Sequence, residues 1–309
     1  MSFPYLSDLI NPIFGTQWNI PIAMFGSFVA IAMIVSTIVA KREIIRLEKL
    51  GLLTKATIAP GVFVPTHKIV DNLTVISSLF GMLGARLFHI LEYPQVFLDN
   101  PIGMILTRGG FSIYGGLICG GIAGAVYLKK RAVPLLPMLD ALAPSMILGY
   151  GIGRIGCQIS GDGDWGIAAI MDLKPNWLPD WLWAQTYTNN IVGLVIPSPG
   201  VYPTPLYEVL AAFGIFLFLW AIRKTKYSKG YMFSSYLLLT GFERLLIEKI
   251  RINSKYHFFG IDFTQAEFIS TVLILIGLLG ILKATQAKRI SKVVFSLFIL
   301  GALSACSKL

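Results

Sequence analysis

The sequence predicts an all-α polytopic membrane protein with seven transmembrane helices plus a short eighth and an external head segment between spans 4 and 5. Three observations carry that class. Of 309 residues, 55% are apolar and only 14% charged, where a soluble domain has about a quarter charged; mean hydropathy is +0.70. Apolar runs long enough to cross roughly 30 Å of hydrocarbon recur along the chain. Basic residues crowd into alternate connections between those runs.

Taken in order, the spans are predicted at 20–40, 75–91, 111–128, 138–153, 205–222, 231–250 and 268–284, with the short eighth at 293–305. Most of the 26 basic residues fall in four connections: Lys41 to Lys68, Lys129 to Arg131, Arg223 to Lys229, and Lys283 to Lys292. By the positive-inside rule these are cytoplasmic, which puts the N-terminus and the intervening loops outside. The net charge of +10 therefore reads as topology and contact with anionic membrane lipid, with no nucleic-acid partner. MSFPYLSDLINP reads as a polar lead-in and not as a cleavable signal. Cys119, Cys157 and Cys306, with His67, His89 and His257, show no metal or disulfide spacing, and no metal or cofactor is expected.

Residues 154–204 are the longest non-hydrophobic piece and hold four of the six tryptophans, Trp165, Trp177, Trp181 and Trp183. Tryptophan belts mark the membrane–water interface, so this piece is expected to lie as a head over the bundle.

At its start stands GRIGCQISGDGDWG, at 153–166, a glycine-rich elbow with Arg154, Asp162 and Asp164. Ionisable residues at membrane depth are costly and point to function. Arg86, near the end of its span, and RGGFSIYGGL, where Tyr114 precedes Gly115 and Gly116, are expected on the same side. So is ERLLIEKIR, in which Arg244, Glu248 and Arg251 follow i,i+4 and i,i+3 steps and share one helix face. Arginine forks match phosphate geometry and stay charged, so the set suits a lipid phosphate. Plainer roles exist for each: Arg86 snorkelling to the interface, Arg251 as an interfacial anchor, Arg244 and Glu248 as a packing ion pair, Tyr114 as a belt residue, the aspartates as turn formers. A transporter would spread charge across the membrane depth, and no protease dyad stands in the spans.

These stretches, with DALAP upstream and PTPLYE downstream, resemble the prolipoprotein diacylglyceryl transferase family from about Ile20 to Ala284. The resemblance implies a membrane domain over 1–286, with 287–309 as an added short span. It implies transfer of the diacylglyceryl group of phosphatidylglycerol to the lipobox cysteine of prolipoprotein signal peptides, at the outer face of the bacterial inner membrane, with release of glycerol phosphate. Arg154 matches the signature arginine, and Asp162 or Asp164 stands where the family has glutamate. Gly166, Glu208, Arg244, Glu248, Arg251, Gly115 and Gly116 match family positions as well. The family's histidine before the glycine pair is Tyr114, and its asparagine after the arginine is Cys157. Two family tyrosines are Phe25 and Thr240. Histidine titrates near neutrality and suits proton removal from a thiol, whereas tyrosine titrates near 10. The alternative to an active transferase is accordingly a lipid-binding paralogue. Finally, LSAC at 303–306 is similar to a lipobox, which makes Cys306 a candidate for lipidation.

Overall fold

The computed structural model describes residues 2–106, 110–224, 229–253, 255–258 and 261–285. The predicted eighth span and Cys306 lie outside them. The chain is mostly helical. A short α1 (Leu6–Phe14) leads into α2 (Met24–Lys49), a hairpin of β1 (Ala56–Ala59) and β2 (Val62–Val64), and α3 (Val70–Glu92). Two short helices, α4 (Pro94–Asp99) and α5 (Pro101–Leu106), precede α6 (Ile113–Lys130) and α7 (Leu135–Ser160). After the one-turn α8 (Asp180–Trp183) come α9 (Thr204–Ile222), α10 (Tyr231–Glu248), a second hairpin of β3 (Lys255–Phe258) and β4 (Ile261–Thr264), and α11 (Gln265–Ala284). The two hairpins are the departures from an all-α reading.

Among the described residues, five helical stretches are long and apolar enough to cross a membrane: Met24–Lys49, Thr66–Glu92, Leu135–Ser160, Thr204–Ile222 and Gln265–Ala284. The fold is that of an α-helical membrane protein. α6 and α10 pack among these five, but glycines and two lysines dilute the first, and Glu243, Arg244 and Glu248 dilute the second. α2 outruns its expected end at residue 40 because Ile44 and Leu47 continue its buried face.

The main helix contacts are α3 with α6, α10 with α11, α2 with α7, and α7 with α9. α3 meets α6 through glycine: a methyl at Gly115 would overlap the Gly84 carbonyl and stand 2.6 Å from Phe88 Cβ. Small residues at such crossings let backbones approach closely where lipid offers no hydrophobic drive to association.

The bundle's two ends differ in chemistry. At one, the basic connections that follow α2 and α6 close over a core that includes Ile44, Val70, Leu128 and Met138. Arg131 donates to the Ile58 carbonyl at 2.7 Å, and Arg46 to the Arg223 carbonyl at 2.9 Å. Asp140 of the DALAP stretch caps α10 from across the bundle, accepting from the Gly230 and Phe233 amides at 2.5 and 2.9 Å. The side chain thus satisfies amide donors that the start of a helix leaves open. At the other end, the C-termini of α7 and α10 meet the N-termini of α6, α9 and α11.

Residues 162–203 fold against that second end. Trp165 is buried with Tyr187 and Val201 and stacks on the Tyr187 ring at 5.1 Å. This corrects its expected place in an interfacial belt, since its ring is the centre of a small core. Trp177 and Trp181 are 81% and 61% exposed.

Candidate functional site

Gly153 to Ser160 do not form an elbow. α7 continues through them and ends at Gly161, whose φ of +62° closes the helix in the left-handed conformation that glycine tolerates. Arg154 and Cys157 therefore sit one turn apart on a helix, and Gly156 packs against Phe25 and Phe28 of α2. The turn that the glycines foretold begins seven residues after Arg154.

Arg154 is buried, 8% exposed. Its Nε and Nη2 grip one carboxylate oxygen of Glu208, from the first turns of α9, and its Nη1 grips Asp164. Nη1 also lies 3.4 Å from Cys157 Sγ, and the Tyr150 ring faces the guanidinium at 5.7 Å. Glu208 is fully buried and its second oxygen faces Arg244 at 3.3 Å and Arg251 at 3.5 Å. Arg251 bonds Asp164 at 2.7 Å, and Arg244 pairs with Glu248 at 3.0 Å one turn along α10. Arg154, Glu208 and Arg244 with Glu248 come from three helices, Asp164 from the loop after α7, and Arg251 from the strand-like segment past the end of α10, where it bridges Gly166 instead of sharing the helix face its spacing predicted. Formal charge balances within the set.

The two aspartates divide. Asp164 takes both arginines; burial would raise its carboxyl, but Arg154 and then Arg251 outweigh burial and hold it down to about 2. Asp162 accepts the Asp164 amide at 3.2 Å, a turn-forming contact, and burial followed by the Asp164 charge pushes its carboxyl up. Asp162, Asp164 and Cys157 place donor atoms within 4.8 Å of one another. Both Asp164 oxygens already bind guanidinium groups, so the set does not fit a cation.

Gly166 keeps the loop on Arg251. Its backbone bridges that of Arg251, with the Ile167 amide donating to Ile250 at 2.8 Å. A Cβ at Gly166 would collide with the Ile250 carbonyl and stand 2.9 Å from Thr204 Cγ2. Thr204 in turn donates its hydroxyl to the Asp164 carbonyl at 2.6 Å.

Tyr114 opens α6 and lines a cavity of about 250 Å³ with Arg244 and Glu248. Gly115 and Gly116 lie in the crossing with α3. Arg86 donates to the Met104 and Gly110 carbonyls at 3.0 and 3.1 Å and stacks over Phe111, tying α3 to the chain that leads into α6.

Two residues went unnoticed in the sequence. Glu243 is 8% exposed, and its Oε1 has no hydrogen-bond partner among the described residues. Its signal was adjacency to Arg244. Tyr150 precedes Arg154 by four residues, the spacing that stacks side chains on a helix.

Fold and cluster together define a helical membrane protein with a preassembled arginine–carboxylate site at one end of its bundle. The chain belongs to the prolipoprotein diacylglyceryl transferase family, whose model matches residues 12–283. A phosphatidylglycerol–prolipoprotein diacylglyceryl transferase of Leptospira interrogans is 26% identical over 330 aligned positions, covering 91% of this chain and 94% of the relative. Proteins of the same name from Bacillus cytotoxicus and Clostridium tetani are 28% and 32% identical, covering 76% and 67% of this chain and 78% and 77% of their own lengths. The protein is a membrane transferase.

Proposed function

We propose that the chain transfers the diacylglyceryl group of phosphatidylglycerol to the thiol of a lipobox cysteine in prolipoprotein signal peptides. The carrying observation is the gathering of Arg154, Arg244 and Arg251 around Glu208 and Asp164 in a chain of this family. The thiol loses its proton and its sulfur attacks the glycerol carbon that bears the phosphate. A carbon–sulfur bond forms, the carbon–oxygen bond breaks, and the electron pair leaves on glycerol phosphate. Arg154 and Arg244 stabilise the charge that grows on the departing oxygen. Fixed by carboxylates beforehand, the guanidiniums need no reorganisation during the step.

Arg251 holds Asp164 and the loop, Gly166 fixes the loop's approach, and Glu208 and Glu248 orient the arginines. Cys157 and Asp162 shape the wall beside Arg154, Gly115 and Gly116 set the seat of Tyr114, and Arg86 anchors the neighbouring chain. Tyr114 stands beside Arg244 where the thiol is brought in, and orients it or moves its proton. In the membrane, α6 and α10 join the five apolar helices as spans, with residues 162–203 as an external head. The site then faces the outer side of the bacterial inner membrane. Residues 1–286 form the transferase domain.

The experiment is a transfer assay with purified protein, phosphatidylglycerol and a lipobox peptide, beside Arg154→Ala. A peptide mass gain of one diacylglyceryl unit, lost in Arg154→Ala, is expected. Tyr114 at the family's histidine position favours a second reading, a lipid-binding paralogue. That reading gains if lipid binding depends on Arg154 and no product forms.

A further inference from the structure

The cavity beside Tyr114 has walls that the transfer step does not use. Beyond Tyr114, Arg244 and Glu248, it is lined by Asn253, Tyr256, Thr264, Gln265 and Ala266, from the end of α10, the β3–β4 hairpin and the start of α11. About 250 Å³ is below the roughly 300–1,000 Å³ of pockets for drug-sized ligands, the scale of a head group and not of a whole lipid.

Its polar groups are of one kind. Glu248 Oε1 accepts from Asn253 Nδ2 at 2.7 Å, and its charge is matched by Arg244, whose Nη2 lies 3.0 Å from Oε2 in an ion pair without hydrogen-bond geometry. No unmatched negative charge is left for an ammonium, and Arg244 opposes a cation. What remains is neutral: the Asn253 and Gln265 amides and the hydroxyls of Tyr114, Tyr256 and Thr264, which donate and accept. The far wall is held in place. Thr264 caps α11, accepting from the Glu267 amide at 3.1 Å while its own amide donates back to Glu267 at 2.9 Å. Lys249 pairs with Glu267 at 2.8 Å, joining the end of α10 to the start of α11.

We propose that this cavity receives the uncharged polyol of the lipid head group, with Asn253 and Gln265 hydrogen-bonding its hydroxyls while the phosphate stays on Arg244. The assignment rests on the transferase reading and adds to it the residues that choose the head group. A pocket built to bond hydroxyls rejects an isostere that lacks them, because its own polar groups are then left unpaired. Choline and ethanolamine heads meet Arg244 and a carboxylate whose charge Arg244 already matches.

The test is calorimetric titration of the detergent-solubilised full chain with glycerol phosphate and with propyl phosphate, its analogue without hydroxyls. Glycerol phosphate is expected to bind about 10- to 100-fold more tightly, from two neutral hydrogen bonds. Gln265→Leu and Asn253→Leu are each expected to cut that preference about 3- to 10-fold, and Gln265→Leu to leave propyl phosphate affinity unchanged. Among the described residues no hydrogen bond joins Gln265 to Glu248, so its variant separates head-group recognition from disturbance of the ion pairs. Equal affinity for the two phosphates, no affinity for either, or an undiminished preference in both variants overturns the assignment. Transfer is scored separately: hydroxyl preference without product retains the pocket and overturns the transferase reading, and product without preference does the reverse.

Discussion

Glu208→Gln isolates the centre of the cluster. The substitution keeps the side chain's shape and removes one charge from a fully buried position touched by Arg154, Arg244 and Arg251. Charge balance among the six groups becomes an excess of one positive charge. Removing one partner of a buried pair costs about 3–5 kcal/mol, since the remaining charge stays desolvated. Arg154 carries most of that, with its side chain 9% exposed; Arg244 is 27% exposed and farther away, so water screens its share. The expected loss of unfolding free energy is therefore about 3 kcal/mol or more in nanodiscs of zwitterionic lipid. Anionic lipid or added phosphate, filling the vacated negative position, is expected to restore part of it. The assay is denaturant unfolding of wild type, Glu208→Gln, Arg154→Gln and the double variant in both lipids. Wild-type stability in Glu208→Gln, or single losses that add to within about 0.5 kcal/mol, would refute the coupled cluster.

Other outcomes follow from the same contacts. Asp164 titrates near 2 in the folded chain, below its ordinary 3.8, so its stabilising effect is complete above about pH 4 and lost as pH falls through about 2. Asp164→Asn should lower stability at neutral pH and flatten the acid limb of a stability–pH profile; an unchanged limb counts against the assignment. Gly166→Ala should destabilise by about 1–3 kcal/mol through overpacking and reduce transfer, measured by unfolding and by the peptide assay. Trp165→Ala is expected to cost about 3–5 kcal/mol as a core truncation, whereas exposed Trp177→Ala should leave unfolding within about 0.5 kcal/mol.

The sequence by itself determined the class. Apolar runs separated by basic connections specify membrane helices, because hydrocarbon admits backbone only when its hydrogen bonds are closed within each segment. It also marked Arg154, Arg244 and Arg251, since ionised groups are conspicuous in such surroundings, and Glu248 through helical spacing. Local pattern could not tell that the glycines from 153 to 156 stand in a continuing helix. Glycine serves close packing as readily as turning, and only the presence of Phe25 and Phe28 against Gly156 decides between them. The choice between Asp162 and Asp164 was likewise open, because both lie in Asp-Gly or Gly-Asp context; the arrival of Arg251 from just past α10 gives Asp164 the charge and leaves Asp162 the turn. Tertiary structure alone placed Glu208 between three arginines and opened a polar cavity beside Tyr114. Contacts between groups 36 to 87 residues apart depend on where whole helices end, and helix ends are set by packing and caps drawn from elsewhere in the chain.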